Sequence, residues 1–300
     1  MTNMPNAKRR QLLKLALATA MLAATGTPTL AAPERSGNRL AVVLGGGSAR
    51  GFAHIGVIKA LDAAGIKPDL IVGCSAGSLI GAFWAAGISG TLMEELALRV
   101  RDDEVIDLIA GNTQRGMVGG RHLQEFVNRH LQNRAIEALP TRFIAVATAF
   151  PSGELVSFNR GDTGFAVRAS CSIPGVFIPA SDNGREYLDG GLVSPVPVQT
   201  ARKAGGDVVV AVDIGAPDAN PNPGAGLYSL LLRSFEIMSQ SLRNHETAQA
   251  DLVIRPPVAQ IPSTDFSARK ILIAAGFQAG SRLAPLIRER LNRLELPRKR

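Results

Sequence analysis

The strongest constraint on this chain is a serine held between glycines where a strand-like run meets a helix-like one. The apolar run Leu70-Ile71-Val72 stops at Gly73, Ser75 follows two residues on, Gly77 two after that, and a helix-like segment opens at once. G-x-S-x-G in a strand–turn–helix setting is the pattern of a nucleophile elbow, where a sharp turn lifts the serine Oγ to the top of a sheet. Glycines on either side leave room for such a turn, and the next helix N-terminus brings positive potential to the serine. A chain with 31 glycines also meets this motif by chance, so its surroundings have to decide.

Upstream, Leu40-Ala41-Val42-Val43-Leu44 is a continuous apolar run of strand length, as expected of a strand covered on both faces. It feeds Gly45-Gly46-Gly47-Ser48-Ala49-Arg50-Gly51, after which residues 52–64 carry helical spacing and Gly65 is placed to end it. Lys67-Pro68-Asp69 then turns the chain into the 70–72 strand. Such alternation of strand and helix argues for a parallel sheet flanked by helices.

The glycine loop admits three uses. A dinucleotide fingerprint needs Gly or Ala where Arg50 stands, and a phosphate P-loop needs a Gly-Lys-Ser/Thr that is missing. An oxyanion hole needs bare backbone N–H groups aimed into a cavity, which Gly45, Gly46 and Gly47 can supply. Arg50 then braces the loop or meets an anionic head group, and bracing is the plainer reading.

Downstream, the elbow helix over 75–86 offers Leu79, Ile80, Phe83 and Trp84 as a packing face. The pattern predicts a helix over 89–110, a loop over 111–120 carrying Arg115 and Met117, and a helix over 121–131. This more polar stretch reads as a cap over the carboxyl ends of the sheet. Strands are expected over 143–148 and 154–158, and Ala169-Ser170-Cys171-Ser172-Ile173-Pro174-Gly175 ends a helix in a proline-pinned turn. Asp189 follows a short apolar run and precedes Gly190 and Gly191, at a strand end on an open turn. Taken alone it reads as an Asx-turn aspartate. Residues 208–213 make the last strong strand, 215–226 a loop at the site rim, 227–250 a long helix, 252–254 a short strand and 268–294 a final helix.

The first 32 residues read as a processing segment. Lys8, Arg9, Arg10 and Lys14 form a basic start without an acid, residues 12–24 are apolar, and Thr29-Leu30-Ala31-Ala32 offers small residues to a peptidase. Lys8-Arg9-Arg10-Gln11-Leu12-Leu13-Lys14 resembles a twin-arginine export signal, so a periplasmic location is expected. A general secretory signal and an uncleaved anchor are the alternatives. Removal of those four positive charges takes the formal net charge from +8 to +4, too little for a dedicated nucleic-acid binder. The cluster Arg288, Arg290, Arg293, Arg298, Lys299 and Arg300 suits a solvated helix end, with peripheral contact to an anionic membrane surface as the sharper reading. Cys74 and Cys171 show no metal spacing, and buried free thiols are expected in preference to a disulfide.

Four blocks in order, the 45–51 loop with Phe52-Ala53-His54-Ile55-Gly56, Gly73-Cys74-Ser75-Ala76-Gly77, residues 169–179 and Asp189-Gly190-Gly191, resemble the patatin-like phospholipases over residues 40–215. The resemblance implies an α/β fold, a three-layer α/β/α sandwich with a mostly parallel central sheet, and a Ser–Asp dyad in place of a triad. Ser75 is then the nucleophile on a phospholipid or other acyl ester, and Asp189 takes its proton. The N–H groups of Gly45, Gly46 and Gly47 hold the oxyanion, with Arg50, Gly51, Gly73, Gly77, Gly190 and Gly191 in support. Burial is expected to raise the Asp189 pKa toward that of a working base. No cofactor and no metal is implied. The expected organisation is an export signal over 1–32, a linker over 33–39, a catalytic core over 40–215, and a helical part over 216–300 packed on the same domain.

Two other readings stand beside it. An esterase or thioesterase of the Ser–Asp–His α/β-hydrolase type needs a histidine after the acid, where His245 in mid-helix is the one candidate. His54 reads as support for the glycine loop, and His122 and His130 as exposed cap residues. A silent lipid- or protein-binding module has no chemical need to keep Ser75, Asp189 and the glycines together.

Overall fold

Alternation within the apolar strands decides the layering. In β1 (Leu40–Leu44) the side chains of Leu40, Val42 and Leu44 enter one core and those of Ala41 and Val43 another, so both faces are covered. The computed structural model describes residues 39–109, 115–215 and 226–295; the expected export signal and residues 33–38 of the expected linker lie outside them, as does most of the 215–226 loop.

After β1 come α1 (Phe52–Ala63), β2 (Leu70–Cys74), α2 (Ala76–Ala85), α3 (Gly90–Arg99) and α4 (Arg121–His130). Then follow β3 (Arg142–Phe150), β4 (Leu155–Phe158), α5 (Thr163–Ser170), β5 (Ala180–Asp182) and β6 (Arg185–Asp189). The chain continues through α6 (Val198–Lys203), β7 (Val208–Val212), α7 (Leu227–Thr247), β8 (Leu252–Ile254) and α8 (Arg269–Glu295).

The sheet runs β5-β6-β3-β2-β1-β7-β8, with β4 also paired to β3. Neighbours from β3 through β2, β1 and β7 to β8 are parallel, whereas β4, β5 and β6 pair antiparallel. The larger core packs α1, α2, α4 and α8 on one face, and the smaller one packs α6 on the other. This is the expected α/β sandwich with a mostly parallel centre and an antiparallel edge.

The helix expected over 89–110 is shorter. α3 ends at Arg99 and Val100 is extended, because the Arg269 guanidinium donates to the carbonyls of Ala97 and Val100, both at 2.8 Å, and so caps the last turn. Beyond a single turn at Asp102–Glu104, Asp107 accepts from the amides of Gly120 (2.8 Å) and Arg121 (3.2 Å), holding the start of α4. Among the described residues no helix is long and apolar enough to cross a membrane.

Candidate active site

The elbow is built by contact. At Ser75 the backbone takes φ 51° and ψ −127°, outside the regions that non-glycine residues favour. A Cβ at Gly77 would lie 2.1 Å from the Leu44 carbonyl oxygen, and one at Gly73 would lie 2.5 Å from that of Gly77. Glycine at both positions lets β2 turn into α2 while pressed against β1. The Ser75 amide donates to Ser170 Oγ at 2.9 Å, so the end of α5 ties down the strained residue.

Asp189 ends β6, and β3 lies between β6 and β2 in the sheet. The turn after it folds tightly over β3, where a Cβ at Gly190 would lie 2.4 Å from the Val146 carbonyl oxygen. Three bonds then fix the residue: its amide donates to Ser172 O at 2.9 Å, its carbonyl accepts from Thr148 Oγ1 at 2.8 Å, and Oδ1 accepts from the Gly191 amide at 2.7 Å. The last is the Asx turn. The second carboxylate oxygen, Oδ2, accepts from Ser75 Oγ at 2.6 Å. Asp189 is 6% exposed, and burial pushes its pKa up to about 6 against the opposing pull of the Ser75 and Gly191 hydrogen bonds.

The glycine loop differs from expectation. The amides of Gly45 and Gly46 do not face the cavity; they donate to Val212 O (3.0 Å) and Pro195 O (2.9 Å), locking the loop between β7 and the segment after Asp189. Both are therefore corrected from oxyanion donors to anchors. Their small size serves packing, since a Cβ at Gly46 would come 3.3 Å from Ser75 Cβ. Of the three, Gly47 is the one whose amide makes no hydrogen bond among the described residues, and the α2 N-terminus, without a side-chain cap, leaves the Ala76 amide beside Ser75 in the same state.

Arg50 braces as expected, with Nε donating to Ile261 O at 2.8 Å. Fully buried His54 donates from Nε2 to Gly45 O at 2.8 Å, which orients the loop peptide. Burial lowers its pKa to about 4, outweighing that hydrogen bond, so it is neutral at physiological pH. His245 is exposed on α7 and is not a cavity residue. His122 and His130, expected to be exposed, are half-buried: His122 bonds Asp103 O, and the His130 ring packs tilted against Phe126 with centroids 4.3 Å apart. None of the four histidines stands between Ser75 and Asp189. Cys74 and Cys171 are buried free thiols.

A cavity of about 500 Å³ opens over the dyad. Its apolar wall comes from α2, α3 and α4, with Phe83, Met93, Leu96 and Phe126 prominent, so the cap does cover this end of the sheet. That size and lining suit an acyl chain. No cluster of His, Cys, Asp and Glu among the described residues is arranged to hold a metal ion.

Ser170, Thr148 and Glu246 also hold the site, though no motif in the sequence marks them for it. Buried Glu246 on α7 accepts from Ser194 Oγ and from the Val196 amide (2.9 Å), and burial pushes its pKa up to about 7. It clamps the segment whose Pro195 carbonyl anchors Gly46. A signal existed, because Ser239, Arg243 and Glu246 recur at helical spacing on one face of α7.

A family model described as patatin-like phospholipase matches residues 42–202. An uncharacterized NTE family protein of Mycobacterium tuberculosis is 34% identical over 212 residues, which is 66% of this chain and 57% of that protein. Human patatin-like phospholipase domain-containing protein 6 is 35% identical over 191 residues, 61% of this chain and 14% of that protein. Lysophospholipase NTE1 of Coccidioides immitis is 30% identical over 283 residues, 81% of this chain and 17% of that protein. The chain thus spans just over half of the mycobacterial relative and a small part of the other two.

Proposed function

The chain belongs to the patatin-like phospholipase family, and on that premise we propose that it is a serine acyl hydrolase acting on phospholipids, lysophospholipids or related lipid esters. The observation that carries this reading is the 2.6 Å bond from Ser75 Oγ to Asp189 Oδ2 at the floor of an apolar cavity. Ser75 attacks the ester carbonyl as its proton passes to Asp189 Oδ2. The tetrahedral oxyanion is held by the Gly47 amide of the glycine loop and the Ala76 amide at the head of α2, donors of a kind whose single loss costs roughly 2.7–4 kcal/mol. Collapse expels the alcohol, which takes the proton from Asp189 and leaves an acyl-Ser75. Asp189 then draws a proton from water as the hydroxyl adds to the acyl carbonyl. The fatty acid leaves and Ser75 recovers its proton.

A carboxylate is a weak base for an alcohol. Desolvation raises its proton affinity, and the short contact removes the search for geometry. We place the protein in the periplasm after removal of residues 1–32, on the strength of the twin-arginine pattern; N-terminal sequencing of the exported protein tests this.

Hydrolysis of a short p-nitrophenyl ester and of a phospholipid by wild type, Ser75→Ala, Asp189→Asn and His245→Ala tests the mechanism. Loss with the first two and retention with the third is expected. Activity that survives Asp189→Asn and dies with His245→Ala overturns the dyad. Failure of wild type on every ester, with no labelling of Ser75 by a fluorophosphonate, overturns the hydrolase reading and favours a binding module.

A further inference from the structure

We propose that Arg243 is an anion subsite, taking the phosphate group of a glycerophospholipid beside the ester cleaved at Ser75; this rests on the acyl-hydrolase reading above. The cavity is largely apolar, yet the two buried arginines among the described residues, Arg50 and Arg243, both line it. A guanidinium withdrawn from water needs full compensation by acceptors and opposite charge. Arg50 has a backbone acceptor in Ile261 O at 2.8 Å.

Arg243 is loosely compensated. It is 8% exposed, and its ion pair runs from Nε to Asp213 Oδ1 at 3.5 Å, longer than a good charge-assisted hydrogen bond. That carboxylate is shared, with Oδ2 standing 3.5 Å from Arg255 Nε and Oδ1 accepting from the Gly215 amide at 3.1 Å. The other carboxylate acting on Arg243 is Glu236, which already pairs with Arg233 at 2.9 Å and accepts from Ser263 Oγ at 3.1 Å. Arg233, Arg243 and Arg255 therefore share Asp213 and Glu236, so neither carboxylate answers Arg243 alone. The lowered pKa of Arg243, set first by burial and only partly offset by Asp213 and Glu236, agrees with that shortfall.

Its position suits a head group. One turn earlier on α7, Ser239 Oγ donates to Gly191 O at 3.5 Å, against the Asp189 turn. On the other side the guanidinium lies flat on Gly215, where a Cβ would come 2.3 Å from Nε. Ile214, beside it, packs on Gly47, where a Cβ would meet its Cδ1 at 2.8 Å. The face of α7 that carries Ser239 and Arg243 thus borders both halves of the catalytic floor, while the apolar wall is supplied by α2, α3 and α4. An ester with its acyl chain on that wall turns its alcohol toward α7. In a glycerophospholipid that alcohol carries a phosphate, which a guanidinium binds through paired N–H groups.

A matched pair of substrates isolates the phosphate: 1-acylglycerol 3-phosphate and 1-monoacylglycerol of one chain length, as monomers at constant ionic strength. Wild type is expected to show kcat/KM at least about tenfold higher for the phosphate-bearing substrate, the scale of one charge-assisted hydrogen bond. Arg243→Gln should bring the ratio near one through KM, and Arg243→Lys should recover part of it. Glycerol 3-phosphate should compete with the neutral ester in wild type more strongly than inorganic phosphate does. A wild-type ratio near one overturns the proposal, even where the Gln variant fails to fold. So does a parallel fall on both substrates in Arg243→Gln, which marks a structural or oxyanion role, and so does competition by inorganic phosphate alone. Absence of hydrolysis of either lipid together with failure to label Ser75 strikes the hydrolase reading instead.

Discussion

Replacing Asp189 by asparagine should cut activity steeply and stabilise the fold, and the size of the second effect follows from burial. The carboxyl moves from an ordinary 3.8 to about 6 in the folded protein because desolvation outweighs its hydrogen bonds. A group whose pKa is raised on folding contributes stability that is fully present below its unfolded value and lost as pH rises through its folded value. The window here runs from about pH 4 to about pH 6. Above it the ionised, buried carboxylate costs the native state about 3 kcal/mol, at about 1.4 kcal/mol per tenfold change in proton affinity. Asparagine is near-isosteric and never ionises. Its amide can still meet both neighbours, with one oxygen for the Gly191 amide and an NH2 facing Ser75 Oγ, whose hydroxyl can rotate to accept. Asp189→Asn should therefore be more stable than wild type at pH 8 by up to about 3 kcal/mol, with the gain vanishing below about pH 4. Urea unfolding of both proteins at pH 4, 6 and 8 measures this, while kcat/KM should fall by roughly 10²–10⁴, the range of a lost general base. A variant no more stable than wild type at pH 8, or one whose advantage ignores pH, would refute the claim that the carboxylate is held desolvated against its ionisation.

Other consequences are separable. In wild type, kcat/KM on a neutral ester should rise with pH about a midpoint near 6, because the base form of Asp189 is required; a midpoint near 4 would show a solvated carboxyl. Gly77→Ala should lose more than about 3 kcal/mol or fail to fold, since its Cβ would sit 2.1 Å from the Leu44 carbonyl, while Gly226→Ala, with open space around it at the N-cap of α7, should cost no more than about 1 kcal/mol. Glu246→Ala leaves the Ser194 hydroxyl and the Val196 amide without their acceptor, and should cost about 1–3 kcal/mol of stability together with part of kcat, through the Pro195 anchor of Gly46; unchanged kcat would remove Glu246 from the positioning of the loop. Cys74 and Cys171 should resist a thiol reagent in the native protein and both react on unfolding, because burial raises both thiol pKa values; rapid native labelling would contradict their burial.

What the sequence determined by itself was the local backbone chemistry. Gly73 and Gly77 around Ser75, and Gly190 after Asp189, are written into the chain because each backbone there passes too close to another for a Cβ. The apolar runs at 40–44, 70–72 and 208–212 declared strands covered on both faces, which is where β1, β2 and β7 lie. Tertiary structure decided how those pieces face one another. Antiparallel placement of β6 on β3 brings Asp189 to Ser75 across 114 positions of sequence, and no spacing rule encodes that contact. Sheet order likewise consumed two glycine amides that looked free: Val212 O and Pro195 O reach them only because β7 lies beside β1 and the 194–196 segment is held by Glu246. Charge balance around Arg243 has the same origin, since Asp213 meets it from the end of β7 and is shared there with Arg255 from the end of β8. A chain can announce a residue's backbone needs within a few positions. Whether a donor is spent, or a charge is answered, depends on which distant segment folds against it.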